Sequence, residues 1–275
     1  MGKTLDSTKH WRHGWWVVIW LLFLPACATV NMQDQPQSQL LSTQAPAAVE
    51  IPPAQNSSGR SYWWYVPVQV AWPEQQPTAW YVDILLAHQL FKPLLIEYAQ
   101  HIQLWRFHRR AVRDRTGHRF SFIFYAPKPT AMAILDKLAQ NTLIPELIAA
   151  NVIEKVDLPD GNNASNPAVE ATSDKNWSLA MQRAWPYFAM GASQVWLGLI
   201  DQYVASSAQT QENPLTDSEA LETVDIEALA QFYQTIDQKM VVTWETEGGH
   251  ALLHHLNALF GYGEVAIYER RMMRF

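Results

Sequence analysis

The chain has 275 residues, 48% of them hydrophobic and 12% aromatic, including 13 tryptophans, which is ample for a well-filled core and excludes disorder over most of its length. Twenty Lys and Arg against 26 Asp and Glu give a net charge of −6, which argues against a general binder of nucleic acid or anionic lipid. A single cysteine excludes a disulfide within the chain.

Residues 1–14 carry Lys3, Lys9 and Arg12 against the one acid Asp6, and the uncharged apolar run Trp15 to Leu24 follows. A basic segment before a short apolar run has the pattern of an export signal, and the run is too short for a membrane-spanning helix of roughly 20 residues. It ends in Leu24-Pro25-Ala26-Cys27. That ending resembles the lipobox of bacterial lipoproteins, with Pro25 where a small residue is usual. The resemblance implies cleavage after Ala26 and lipidation of Cys27 with acyl chains such as palmitate. Because Ala28 follows in place of aspartate, it also implies anchoring on the periplasmic face of an outer membrane. The alternatives are an ordinary secretory signal cleaved nearby and an uncleaved N-terminal anchor. A lone thiol is a liability in an oxidising compartment, and lipidation removes it. Loss of residues 1–26 leaves 17 Lys and Arg against 25 Asp and Glu, about −8.

Residues 27–60 are rich in Gln, Ser, Pro and Ala, without an aromatic residue or a hydrophobic period, and predict a disordered tether. A flexible chain of this length spans roughly 30 Å. The folded part begins at Tyr62, with a strand to Trp72 whose period-two set is Trp64, Val66, Val68, Val70 and Trp72. Thr78 to Gln100 reads as helix, with Pro93 opening a second piece. Gln103 to Arg113 and Arg119 to Ala126 read as a hairpin around Asp114 to His118. Pro129 to Ala150 is helical, with a break expected at Pro145, and Asn151 to Leu158 can form a fourth strand. Strand, helix, strand, strand, helix, strand over 61–158 predicts an α+β fold, the ferredoxin-like split βαββαβ antiparallel sheet with helices on one face.

Residues 159–275 form a mainly helical extension expected to pack on that sheet. A helix spans about Asn176 to Ser206 with an interruption expected at Pro186. A polar, acidic loop covers Ser207 to Thr223, and a helix near Asp225 to Val241 follows. A break is expected at Gly248-Gly249, then a helix from His250 to Phe260. Glu264 to Phe275 is a strand or a docked tail.

The strongest local feature is Arg106 to Arg119, with six arginines and two histidines. Alternation along the strands places Arg106, His108, Arg110 and Arg119 on one face, beside Ser121, Ile123 and Tyr125. Trp105, Phe107, Arg109 and Ala111 share the core face with Phe120, Phe122 and Phe124. Planar guanidinium forks suit carboxylate or phosphate, so Arg106, His108, Arg110 and Arg119 are candidates for binding an anion or an acidic partner. Solvated arginines neutralising the chain's own acids are the competing explanation.

Other chemistry lacks a motif. His250 and His254 sit four apart, but the acid is not placed as in His-Glu-x-x-His and no third metal ligand is identifiable. Gly191-Ala192-Ser193-Gln194-Val195 lacks the second glycine of a nucleophile elbow. No glycine-rich phosphate loop and no cofactor motif occur, and Trp177, Trp185 and Trp196 at near-helical spacing read as packing more than as sugar platforms. Asp83-Ile-Leu-Leu, Leu104-Trp-Arg-Phe-His-Arg, Gly117-His-Arg-Phe-Ser-Phe-Ile-Phe and Trp244-Glu-Thr-Glu-Gly-Gly are similar in order to the small C-terminal domain of lantibiotic and thiopeptide-type dehydratases. The family's Arg-Tyr and Arg-Tyr-Gly-Gly elements are altered. The resemblance implies a sheet topology and carries over no activity or catalytic residue. These features together predict a membrane-anchored envelope lipoprotein that binds or scaffolds a protein or an anionic envelope component without catalysis and does not bind nucleic acid. A periplasmic hydrolase of cell-wall or sugar polymers is the alternative.

Overall fold

Period-two alternation makes β1, Ser61–Val70, a strand with two different faces, and Trp64, Val66, Val68 and Val70 all turn to the interior. In this computed structural model, residues 59–160, 167–208 and 225–260 are described. The export signal, Cys27, nearly all of the tether, the acidic loop and the tail from Glu264 lie outside them. The protein is a mixed α+β structure built on a four-stranded antiparallel sheet, in the order β2-β3-β1-β4. The other strands are β2, Leu104–Ala111, β3, His118–Pro127, and β4, Ile153–Val156.

The interior face of the sheet packs against helices from both halves of the chain. From β1 the chain enters a continuous helical stretch of α1, Trp80–Leu86, a π-helical turn, Ala87–Phe91, and α2, Lys92–Glu97. Pro93 lies in the first turn of α2, directly after the π-helical turn. Between β3 and β4 come α3, Lys128–Ala139, and α4, Leu143–Ala149. The expected break at Pro145 is displaced. Pro145 is accommodated in the first turn of α4, and the interruption falls at residues 140–142, where Asn141 Oδ1 accepts from the N–H groups of Leu143 and Ile144. The later helices are α5, Leu179–Ala208, α6, Ile226–Thr243, and α7, His255–Phe260. Leu197 and Ile200 of α5 and Leu229, Phe232, Tyr233 and Ile236 of α6 share one core with Trp64, Phe120, Phe122 and Phe124 of the sheet.

Two further sequence expectations are corrected. Pro186 does not interrupt α5, which runs through it. Proline leaves the carbonyl four residues earlier without its helical donor, and Ser173 Oγ donates to that carbonyl, Gln182 O, at 2.6 Å. Gly248-Gly249 does not break the chain either, because a π-helical segment, Trp244–His254, passes through both and joins α6 to α7. The wider i to i+5 coil places Gly248 against the Trp244 indole, where an added Cβ would come within 2.5 Å of the ring.

Strand β2 is the sheet edge, and α5 covers it. Phe107 N–H donates to Ser193 Oγ at 3.1 Å, and Ser193 Oγ donates to Ala189 O at 2.8 Å. A backbone donor that would otherwise be open to another strand is thus satisfied by a helix. Among the described residues, no helix is long and apolar enough to cross a membrane.

Candidate functional site

The outer face of the sheet divides into two halves. In one, Trp63, Leu104, Ile123 and Tyr125 form a small second cluster under Val169, Ala171 and Met190. Trp63 Nε1 donates to Val169 O at 3.0 Å and Tyr125 Oη to Pro167 O at 2.6 Å, which ties the 167–172 segment across it. In the other half, Arg106, His108 and Arg110 of β2 stand opposite Ile123, Ser121 and Arg119 of β3. Tyr65, Pro67 and Gln69 of β1 complete the rows. The four candidate residues therefore share one face, with Arg106 and Arg110 about 13 Å apart along the strand.

Their environments differ. Arg110 and Arg119 are directly opposed, an unfavourable pairing of like charges. Arg110 relieves it by turning to Asp114, with a bond from Nη1 to Oδ1 of 3.0 Å and a second, very short bond between Arg110 Nη2 and Asp114 Oδ2. That pair and the Thr116 N–H hold the Asp114 carboxyl down at about 2. Asp114 also shapes the hairpin, and Gly117 there takes φ +60°, the left-handed region. Arg110 thus behaves as the competing explanation expects, by neutralising one of the chain's own acids.

Arg106 and Arg119 have no carboxylate partner among the described residues, and the Nε of each is buried without a hydrogen bond. Arg106 has one long bond, from Nη2 to Thr172 O at 3.4 Å, and burial lowers its pKa. His108 is largely exposed, and the partial desolvation of its ring, with Arg106 and Arg110 beside it, lowers its pKa. The face presents two underused guanidinium groups, with the Tyr65 hydroxyl, which accepts from Ser121 Oγ at 3.0 Å, on the neighbouring row.

A second constellation lies on the interior side, and sequence reasoning missed it. Asp83, in the first turn of α1, is fully buried. Its Oδ2 accepts from Arg109 Nε at 2.8 Å, and its Oδ1 lies 3.0 Å from His118 Nε2. The Arg109 guanidinium also donates to Trp80 O at 3.1 Å and lies 4.7 Å from the Trp80 ring centre and 5.1 Å from that of Trp196. His118 is fully buried under the edges of Trp72 and Trp80, and its Nδ1 has no partner. A carboxylate, an imidazole and a guanidinium are brought together, the first two fully buried and the Arg109 side chain about 30% exposed. They clamp α1, β2 and β3.

Beside the clamp is a cavity of about 500 Å³ between the 71–82 loop, residues 150–152 and α6. Trp72, Trp80 and Tyr81 line one side and Gln234, Asp237 and Gln238 the other, and Asn151 lines it with a φ of +56°. Burial raises the Asp237 pKa above its ordinary 3.8; Arg109 opposes the shift and Asp83 adds to it. A raised carboxylate pKa means the folded state favours the acid form. The cost is absent below pH 3.8 and grows as pH rises through the folded-state pKa. Asp237→Asn is therefore expected to stabilise the protein at pH 7, with the gain vanishing near pH 3.5. Urea unfolding at the two pH values checks this, and equal effects at both would contradict it.

Cys27 lies outside the described residues. His250 and His255 lie in neighbouring rings 5.7 Å apart, and no group of three metal-ligating side chains gathers among the described residues. Trp196 packs on Phe107 and Phe120 in the interior, while Trp177 and Trp185 meet edge to face near the surface. No family model matches the chain, and no curated protein or solved structure matches it.

Proposed function

We propose that the chain is an envelope lipoprotein, anchored through Cys27 to the periplasmic face of an outer membrane, that works by binding and not by catalysis. Its ligand is an anionic envelope component or an acidic protein surface held on the outer half-face of β2 and β3. The observation that carries this reading is the pair Arg106 and Arg119, without a carboxylate partner among the described residues although the chain has an excess of acids. Leaving a half-buried guanidinium short of acceptors is costly, and a phosphate or carboxylate supplies acceptors in fork geometry. The β2-β3-β1-β4 order, with helices following β1 and β3, supports the split βαββαβ arrangement for residues 61–158. Such a sheet offers its open face to ligands.

Each charge-assisted bond contributes about 1.5–3 kcal/mol, so Arg106→Ala with Arg119→Ala is expected to weaken binding of a labelled polyphosphate by at least tenfold. Arg115→Ala, in the exposed hairpin loop, should leave it nearly unchanged. Equal affinity of the wild type and the double variant removes the face from the proposal. Mass spectrometry of the mature N-terminus tests the anchor, and an unlipidated chain starting elsewhere than Cys27 would overturn it. The cavity beside Trp80 supports the second reading, a hydrolase of cell-wall or sugar polymers, less well. Hydrolysis of a glycosidic bond needs two facing carboxyl groups, and among the described residues Asp237 is the only one lining the cavity.

A further inference from the structure

Strand register divides the arginine face into rows about 7 Å apart along the strands. Arg106 stands in the first row, with Tyr65 of β1, and the opposed pair Arg110 and Arg119 makes the third. His108, Ser121 and Pro67 make the row between them. Two of those three residues have nothing to offer a ligand. Ser121 is fully buried and directs its hydroxyl to Tyr65 Oη, and Pro67 is buried and has no polar side-chain group. His108 is the exposed one. A single anion held by both Arg106 and Arg119 has to lie over this middle row, and so over the His108 imidazole.

The ring has no other engagement. It makes no hydrogen bond or ion pair among the described residues. Partial desolvation disfavours its charged form, and Arg106 and Arg110, two positions away on either side, disfavour it further. Strand β3 adds Arg119 and no acid. The carboxylates on the surrounding elements lie beside cations of their own, Asp114 with Arg110, Asp157 with Lys155, and Glu170 near Arg183 of α5. Before an anion arrives, a proton on His108 therefore meets guanidinium groups and no free carboxylate.

On the reading that this face holds the ligand, we propose that His108 is its third, acid-dependent cation. An anion held by Arg106 and Arg119 binds together with one proton from solvent, which His108 takes up, so the face fills more tightly as pH falls. The anion reverses the local balance, because its charge stands over a ring that otherwise has only cations beside it. An opposite charge within about 4–6 Å raises a pKa by about 1–3, and a rise of about 1 corresponds to about tenfold in affinity. By linkage, the bound state holds the proton more firmly than the free state. The gain is therefore complete below the free-protein pKa, which lies below 6.5, and absent above the pKa of the bound state.

Labelled long-chain polyphosphate, whose interior groups stay ionised throughout, tests this by fluorescence anisotropy on the whole chain at pH 5.5 and pH 8. Circular dichroism checks that every variant is folded at both. Wild type is expected to bind about tenfold more tightly at pH 5.5. His108→Gln should lose that difference. His108→Lys, a fixed cation, should bind at pH 8 about as tightly as wild type does at pH 5.5. Titration calorimetry in two buffers of different ionisation heat should show proton uptake on binding to wild type and none with His108→Gln. Wild-type affinity independent of pH, or a pH dependence unchanged in His108→Gln, overturns the role of His108. The arginine face itself stands in that case if Arg106→Ala with Arg119→Ala still weakens binding. Absence of binding at both pH values removes the face, and this role with it.

Discussion

Replacing Asp83 by alanine is expected to destabilise the fold by about 3–5 kcal/mol, the usual cost of removing one partner from a buried ion pair. The carboxylate is fully buried and both its oxygens are engaged, one by Arg109 and the other by His118. Its loss leaves a guanidinium held between Trp80 and Trp196 without a counter-charge, and a buried imidazole with neither nitrogen partnered. Guanidinium chloride unfolding measures the effect. A double-mutant cycle with Arg109→Met should show coupling above 1 kcal/mol, since the two residues share one interaction. Additive single effects, or a loss below 1 kcal/mol from Asp83→Ala, would mean that the clamp is not structural. Catalytic or ligand-binding roles would then need to be reconsidered for these three residues.

Phe91→Ala should be comparably severe, about 3–5 kcal/mol. Phe91 closes the π-helical turn and is fully buried, with its ring centre 4.9 Å from Phe122, 6.0 Å from Phe120 and 6.2 Å from Phe107. It packs the α1 to α2 segment against both strands of the hairpin. The π turn adds one residue to the helical repeat and so shifts the direction of everything after it, and alanine would leave a cavity where three rings converge. Ile96→Ala, at a 67% exposed position of α2, is the matched control and should cost under about 0.5 kcal/mol. Similar losses at both positions would show that the helical segment responds to substitution generally and not through the aromatic cluster.

The face assignments were legible before the structure. Alternation along β2 and β3 separated Arg106, His108, Arg110 and Arg119 from Phe107, Phe120 and Phe122, and the register pairs them as expected. The same alternation placed Arg109 on the core face, and that was the unused signal for the clamp. An arginine pointing inward requires a buried acid, and Asp83, alone between Val82 and Ile84-Leu85-Leu86, was a candidate in plain view. His118, read as part of the hairpin loop, belongs instead to β3 on the same inward side. Asp237 carried no such signal, because its partly buried state depends on how α6 lies beside the 71–82 loop.

What the sequence determined by itself is local. Period two in the strands, period 3.6 in the helices, the Asp225 cap on α6 and the Asp114 turn each depend on residues a few positions apart. The tertiary structure alone decided what joins distant segments. The Asp83 clamp links residues 26 and 35 positions apart, Ser173 lets α5 run through Pro186, and Ser193 closes the free edge at Phe107. The physical reason is that periodicity states which side of an element avoids water, whereas a buried polar group is satisfied by whichever partner the packing brings within about 3 Å.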